Sequence, residues 1–235
     1  MLCLGWFYFC TANWCVYESP RPEAPARSMP IPQRTRHDSD LWITTYWVTD
    51  YNKFKIKLKR FSFKDTAYQQ WINGMGGEVP TRKKWITDID HLYIIHQTGG
   101  NHWGTLQDVN FLRSHIDCYD CIVKEHIDES DGKMLEACRP FTRMIPQMMN
   151  ELIPSKFCIP QYDQFSFWRR DKKQVPQNHI RGDCGVYALK ILECLLLSVC
   201  FDGITDANIQ ALRVKMAAKT FDEAHERMPA RYLKT

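Results

Sequence analysis

The segment Gln177-Asn178-His179-Ile180-Arg181-Gly182-Asp183-Cys184-Gly185-Val186-Tyr187 runs directly into an apolar series: Leu189, Ile191, Leu192, Leu195 and Leu196. With Val186 and Tyr187 ahead of them, these positions carry the spacing of a largely buried helix. The helix should begin at the cysteine. Asp183 suits an N-cap, and Gly185 leaves space beside the sulfur. A thiol in that position feels the positive end of the helix dipole, which favours the nucleophilic thiolate. A lone buried cysteine more often serves as a small hydrophobe. The choice between inert and reactive therefore rests on what the rest of the chain places around Cys184.

The chain has 235 residues, enough for one domain with a sizeable core, or one domain plus a tail. Its net charge of +4 is mild and does not call for nucleic acid as a partner. The 10 cysteines are irregularly spaced, and several sit in apolar runs. That pattern suits reduced thiols in a nuclear or cytoplasmic protein better than a disulfide scaffold. Residues 1–17 are apolar, aromatic and uncharged. They fall short of the roughly twenty residues of a membrane span and lack the basic start of a signal peptide. Pro20, Pro22, Pro25, Pro30 and Pro32 interrupt the next stretch. Residues 1–40 are accordingly expected to be a poorly ordered extension and linker, and 41–235 the folded domain.

Within that domain, residues 53–60 alternate lysine with Phe54, Ile56 and Leu58 as a strand would, yet Trp47, Tyr51, Phe54 and Leu58 also share one helical face, and the helix is the preferred reading. Residues 73–80 form a glycine-rich turn without the lysine of a phosphate loop. Short strands are expected over 90–95, 103–109, 114–119 and 165–170. A helix over 133–153 should break near Pro146, and 206–221 should close the chain as an amphipathic helix. Strands flanked by helices without regular alternation indicate an α+β fold with a central mixed sheet.

A cysteine nucleophile needs a base, an orienter for that base and a donor for the oxyanion. His102 stands at the start of one expected strand, and Asp120 at the end of the next. If those strands are antiparallel neighbours turning near Asn110, Asp120 lies beside His102 and fixes its tautomer. Gln177 or Asn178 supplies an amide N–H near the sulfur. Asp117 is a lesser alternative to Asp120, since three residues along a strand reverse the face.

In this order, His102-Trp103, Asp120, Gln177-Asn178 and Asp183-Cys184-Gly185, the chain resembles the ubiquitin-like-protein-specific cysteine proteases, the sentrin/SUMO proteases of the adenain-like group. It is most similar in phrasing to divergent plant and mobile-element-linked members. The resemblance spans about residues 42–232 and implies a papain-like (adenain-like) cysteine peptidase fold. It also implies cleavage after the C-terminal Gly-Gly of a SUMO-type modifier by a monomeric enzyme, with no cofactor, metal or membrane. By the same resemblance, Cys184, His102 and Asp120 are catalytic. Asn178 holds the oxyanion, with Gln177 as the alternative. Trp47, in Trp47-Val48-Thr49-Asp50, and Trp103 close a channel that admits only glycine. Asp183 and Gly185 belong to the substrate-binding surface.

The family's apolar strand after the His-Trp pair is here the largely polar Gly104-Thr105-Leu106-Gln107-Asp108. Burying that composition costs stability. A catalytically degenerate binding module and an acyltransferase on the same fold are the alternative functions. Cys118 and Cys121 are spaced C-x-x-C, but Cys138 and Cys158 lack ligand spacing, so a zinc site is not expected. His91, His96, His115 and His126 are expected to be surface or satisfied histidines. The lysines of 53–60 and the cations Arg169, Arg170, Lys172 and Lys173 are expected to form solvated faces.

Overall fold

The computed structural model describes residues 14–20, 40–57, 61–75, 82–97, 103–122, 127–157, 163–180 and 182–227. Its elements run β1 (Trp14–Pro20), α1 (Asp40–Lys57), α2 (Ala67–Ile72), β2 (Ile89–Gln97), β3 (Trp103–Asn110), β4 (His115–Asp120), α3 (Ile127–Leu152), β5 (Ser166–Arg169), α4 (Cys184–Leu197) and α5 (Asp206–Arg227). The five strands form one sheet in the order β1-β2-β3-β4-β5. Every pair is antiparallel except β4 and β5, which are parallel. A parallel pair needs a long crossover, and α3 provides it.

Alternation along the strands divides the core in two. Leu92 and Ile94 of β2, Val109 of β3, and Ile116 and Cys118 of β4 pack with side chains of α1 and α3. Tyr93, Ile95, Leu106 and Tyr119 point the other way and pack with α4. Ile209 of α5 joins this second cluster. The sheet is thus sandwiched between α1 and α3 on one face and α4 on the other.

Two expectations change, and a strand whose polar composition counted against it holds. Residues 14–20 form an edge strand on β2 rather than part of a poorly ordered extension. Pro146 does not break α3, which continues through both Pro140 and Pro146. The carbonyl that the missing Pro146 N–H would have served, that of Thr142, instead accepts the N–H of Phe165 at 2.8 Å. The helix keeps its path because Met134, Cys138, Phe141, Met144, Ile145, Met148 and Met149 are buried along it. The polar strand after Trp103 does form, as β3. Fully buried Gln107 donates to the Cys118 sulfur at 3.3 Å, and Asp108 accepts from the His91 ring at 2.7 Å. Among the described residues, no helix is long and apolar enough to cross a membrane.

Candidate active site

Cys184 is the first residue of α4 and is buried, with Val186, Tyr187, Ala188, Leu189, Ile191 and Leu192 buried behind it. The end of β4 reaches this helix start. Cys121, one residue beyond Asp120, has its sulfur 3.9 Å from the Cys184 carbonyl oxygen. Burial pushes the Cys121 thiol well up, and the nearby Asp120 and Cys184 add to the effect. Cys121 is therefore a neutral wall beside Cys184 rather than a second nucleophile. Cys118 and Cys121 lie in opposite core clusters and do not converge as metal ligands.

The β3–β4 hairpin pairs Asn110 with His115 and Thr105 with Asp120. This is the antiparallel pairing with a turn after Asn110 that the sequence calls for. His102 lies outside the described residues. The backbone of Trp103 opens β3, opposite Gln97. Asp120 is almost completely buried. It accepts from Arg169 Nη2 at 2.5 Å and from the Ile122 N–H at 2.9 Å. Sequence reasoning assigned Arg169 to a solvated basic face, and the structure corrects this. The parallel β4–β5 register sets Arg169 against Cys118, two residues before Asp120, and buries its side chain. Arg170 pairs with Asp117 at 2.8 Å and lies over the Trp168 ring. Asp117 also takes the His115 ring at 3.0 Å, and the other His115 nitrogen lies 2.7 Å from Ser166 Oγ. His91 and His115 thus have ordered partners that the sequence did not reveal.

The loop ahead of Cys184 is laced to the end of β4. The Asn178 N–H donates to the Cys121 carbonyl at 2.7 Å, and Gln177 Nε2 donates to the Asp120 and Val175 carbonyls at 3.4 and 2.9 Å. Gln177 therefore spends its amide on the backbone. In Asn178 the carbonyl oxygen accepts the Ile180 N–H at 3.0 Å. Its Nδ2 is buried and has no acceptor among the described residues. A buried donor left unpaired costs stability unless something else uses it.

Two substrate-binding expectations are overturned. Trp47 is fully buried against Tyr68 and Phe141, in the cluster on the face of the sheet away from Cys184. Among the described residues it fills core, and its contacts lie in a different cluster from that of Cys184. Asp183 does not cap α4 and presents no carboxylate to a substrate. It is 1% exposed, its backbone is helical rather than extended, and its side chain makes no capping bond. Its oxygens are taken by Gln210 Nε2 at 2.9 Å and by Arg213. Gly185 is half-buried beside Cys184. Sequence reasoning missed Arg169, Gln210 and Arg213 because each meets its partner from a distant part of the chain.

A buried cysteine opens a helix, a carboxylate ends a nearby strand, and an amide with no acceptor among the described residues sits on the loop ahead of the cysteine. Such an arrangement can support acyl transfer to and from sulfur. A search of curated proteins found no match. The family model described as "Ulp1 protease family, C-terminal catalytic domain" matches residues 27–228, most of the chain. With its α+β papain-like fold, the chain belongs to the Ulp1 protease family, cysteine proteases that act on ubiquitin-like modifiers.

Proposed function

We propose that this chain cleaves after the C-terminal Gly-Gly of a SUMO-type modifier, at an isopeptide bond or during precursor maturation. His102 takes the Cys184 proton, and the sulfur attacks the glycine carbonyl. The oxyanion is held by Asn178 Nδ2 together with the N–H groups at the start of α4. Collapse of the tetrahedral adduct breaks the C–N bond, and His102 returns the proton to the leaving amine. Water, deprotonated by the same ring, then hydrolyses the thioester. Asp120 orients His102, and Arg169 holds Asp120 in place. Trp103 covers the glycine tail as it enters. The enzyme acts as a monomer in the nucleus or cytoplasm, where free thiols persist.

The observation that carries this reading is the buried Asn178 Nδ2, a donor without an acceptor among the described residues, on the loop that ends at Cys184. The test is cleavage of a SUMO carrying a short C-terminal extension, and of a SUMO–lysine isopeptide, followed by mass spectrometry. Release after Gly-Gly by the wild-type protein, abolished in Cys184→Ala and His102→Ala, is the expected result. Intact substrates after incubation with folded wild-type protein would contradict it.

A further inference from the structure

Aspartate is among the strongest N-caps, and its usual role is to take the orphan N–H groups of the first helical turn. Asp183 occupies that position and makes no such bond. Its backbone there is helical, not the extended one of a capping residue, and its carboxylate is engaged by α5. Asp206, Gln210 and Arg213 are spaced i, i+4, i+7 and so lie along one face of that helix. Arg213 Nη2 donates to the Gly182 carbonyl at 2.6 Å and to one Asp183 oxygen, and Gln210 Nε2 donates to the other at 2.9 Å. Asp206 takes the Tyr187 hydroxyl at 2.6 Å and the His179 ring at 3.0 Å. One stripe of α5 thus holds both ends of the loop between Asn178 and Cys184.

The geometry points to Arg213 and Gln210 as positioning residues for Cys184, which act by drawing the Asp183 carboxylate away from the start of α4. Two consequences follow for the sulfur. The first-turn N–H groups are left uncapped by the one side chain best placed to cap them, and remain oriented toward a developing oxyanion. The Asp183 charge is also paired with a guanidinium instead of standing bare beside the thiol. Among the described residues, the other carboxylates near this helix start are also engaged: Asp120 by Arg169, and Asp206 by the His179 ring and the Tyr187 hydroxyl. Asp183 is thus the carboxylate that loss of Arg213 would release. Arg213 also holds the Gly182 carbonyl, so without it the backbone at Asp183 is free to leave its helical angles for the extended ones a cap needs, and the carboxylate can then reach the helix terminus, occupying the donors and opposing the thiolate.

This inference deepens the proposed reaction, but its test needs no modifier. The full chain is alkylated with iodoacetamide over a range of pH, and the rate at Cys184 is read by peptide mass spectrometry. Arg213→Met is expected to slow the reaction at neutral pH about tenfold and to move the pH–rate profile up by about one unit. Gln210→Leu is expected to shift it the same way by about half a unit. Adding Asp183→Asn to Arg213→Met should bring the profile back to within about threefold of wild type. Circular dichroism confirms folding, and Gln210→Leu carries the test if Arg213→Met does not fold. An unshifted profile in a folded single variant, or a double variant as slow as Arg213→Met, would overturn the inference. If these shifts appear while modifier substrates stay uncleaved, the positioning role stands and the modifier reading falls.

Discussion

Asn178→Ala separates activity from stability. The side chain is 7% exposed, and its two polar ends have different roles. The carbonyl oxygen accepts the Ile180 N–H at 3.0 Å, and losing that bond costs about 1 kcal/mol. The amide nitrogen has no acceptor among the described residues, and removing a buried unpaired donor recovers about 1–3 kcal/mol. The two nearly cancel, so the midpoint of urea unfolding should stay put or rise slightly. Turnover should behave otherwise. Removing one oxyanion donor costs about 100- to 1000-fold in kcat, or about 2.7–4 kcal/mol. Steady-state cleavage of a modifier with a fluorogenic group after Gly-Gly measures kcat and KM, and urea titration measures stability. Gln177→Ala is the control. It loses bonds to two backbone carbonyls and should lower stability by about 1–2 kcal/mol, with a smaller loss of kcat. A kcat within about threefold of wild type for Asn178→Ala, or a larger loss for Gln177→Ala, would refute the assignment of the oxyanion donor.

Arg169→Met strands the Asp120 carboxylate in the core and should cost about 3–5 kcal/mol, read by urea denaturation. Adding Asp120→Asn should recover part of that stability while leaving activity low. Trp47→Phe should lower stability by about 1–3 kcal/mol with KM unchanged, because the indole fills core across the sheet from Cys184. A raised KM at full stability would return Trp47 to the substrate channel. The His91 ring is held above its ordinary value mainly by its hydrogen bond to Asp108, against burial. Its folded value exceeds its unfolded one, so its contribution is complete below about pH 6.5 and fades as pH rises through the folded value. The stability advantage of wild type over His91→Gln should therefore shrink from pH 5.5 to pH 8.5 in paired unfolding curves.

The fold was legible where the signal was local. The hairpin of β3 and β4 follows from short strands on either side of a turn after Asn110, and α4 follows from its apolar spacing. It was the family resemblance, not local spacing, that put Trp47 in a channel. Its spacing with Tyr51 and Phe54 marks a helical face, and that face turned out to be core. The polar composition of β3 suggested instability because the acceptor for Gln107 is a cysteine sulfur on the next strand. That partner appears only once register is known. Arg169 reaches Asp120 through the parallel β4–β5 register, which depends on the path of α3. Asp183 looked like a cap because its competitors, Gln210 and Arg213, are remote in sequence and carry no local mark. β1 shows the converse error. A segment dismissed for its prolines and lack of charge still contained a short run able to pair with β2.

The central claim is that Cys184 is the nucleophile of a modifier-specific peptidase. It is tested most directly by incubating the protein with SUMO and with ubiquitin, each bearing a C-terminal vinyl-sulfone warhead. A covalent adduct with the SUMO probe, mapped to Cys184 and absent in Cys184→Ala, is the expected result. No adduct with either probe, from protein shown to be folded, would contradict the account.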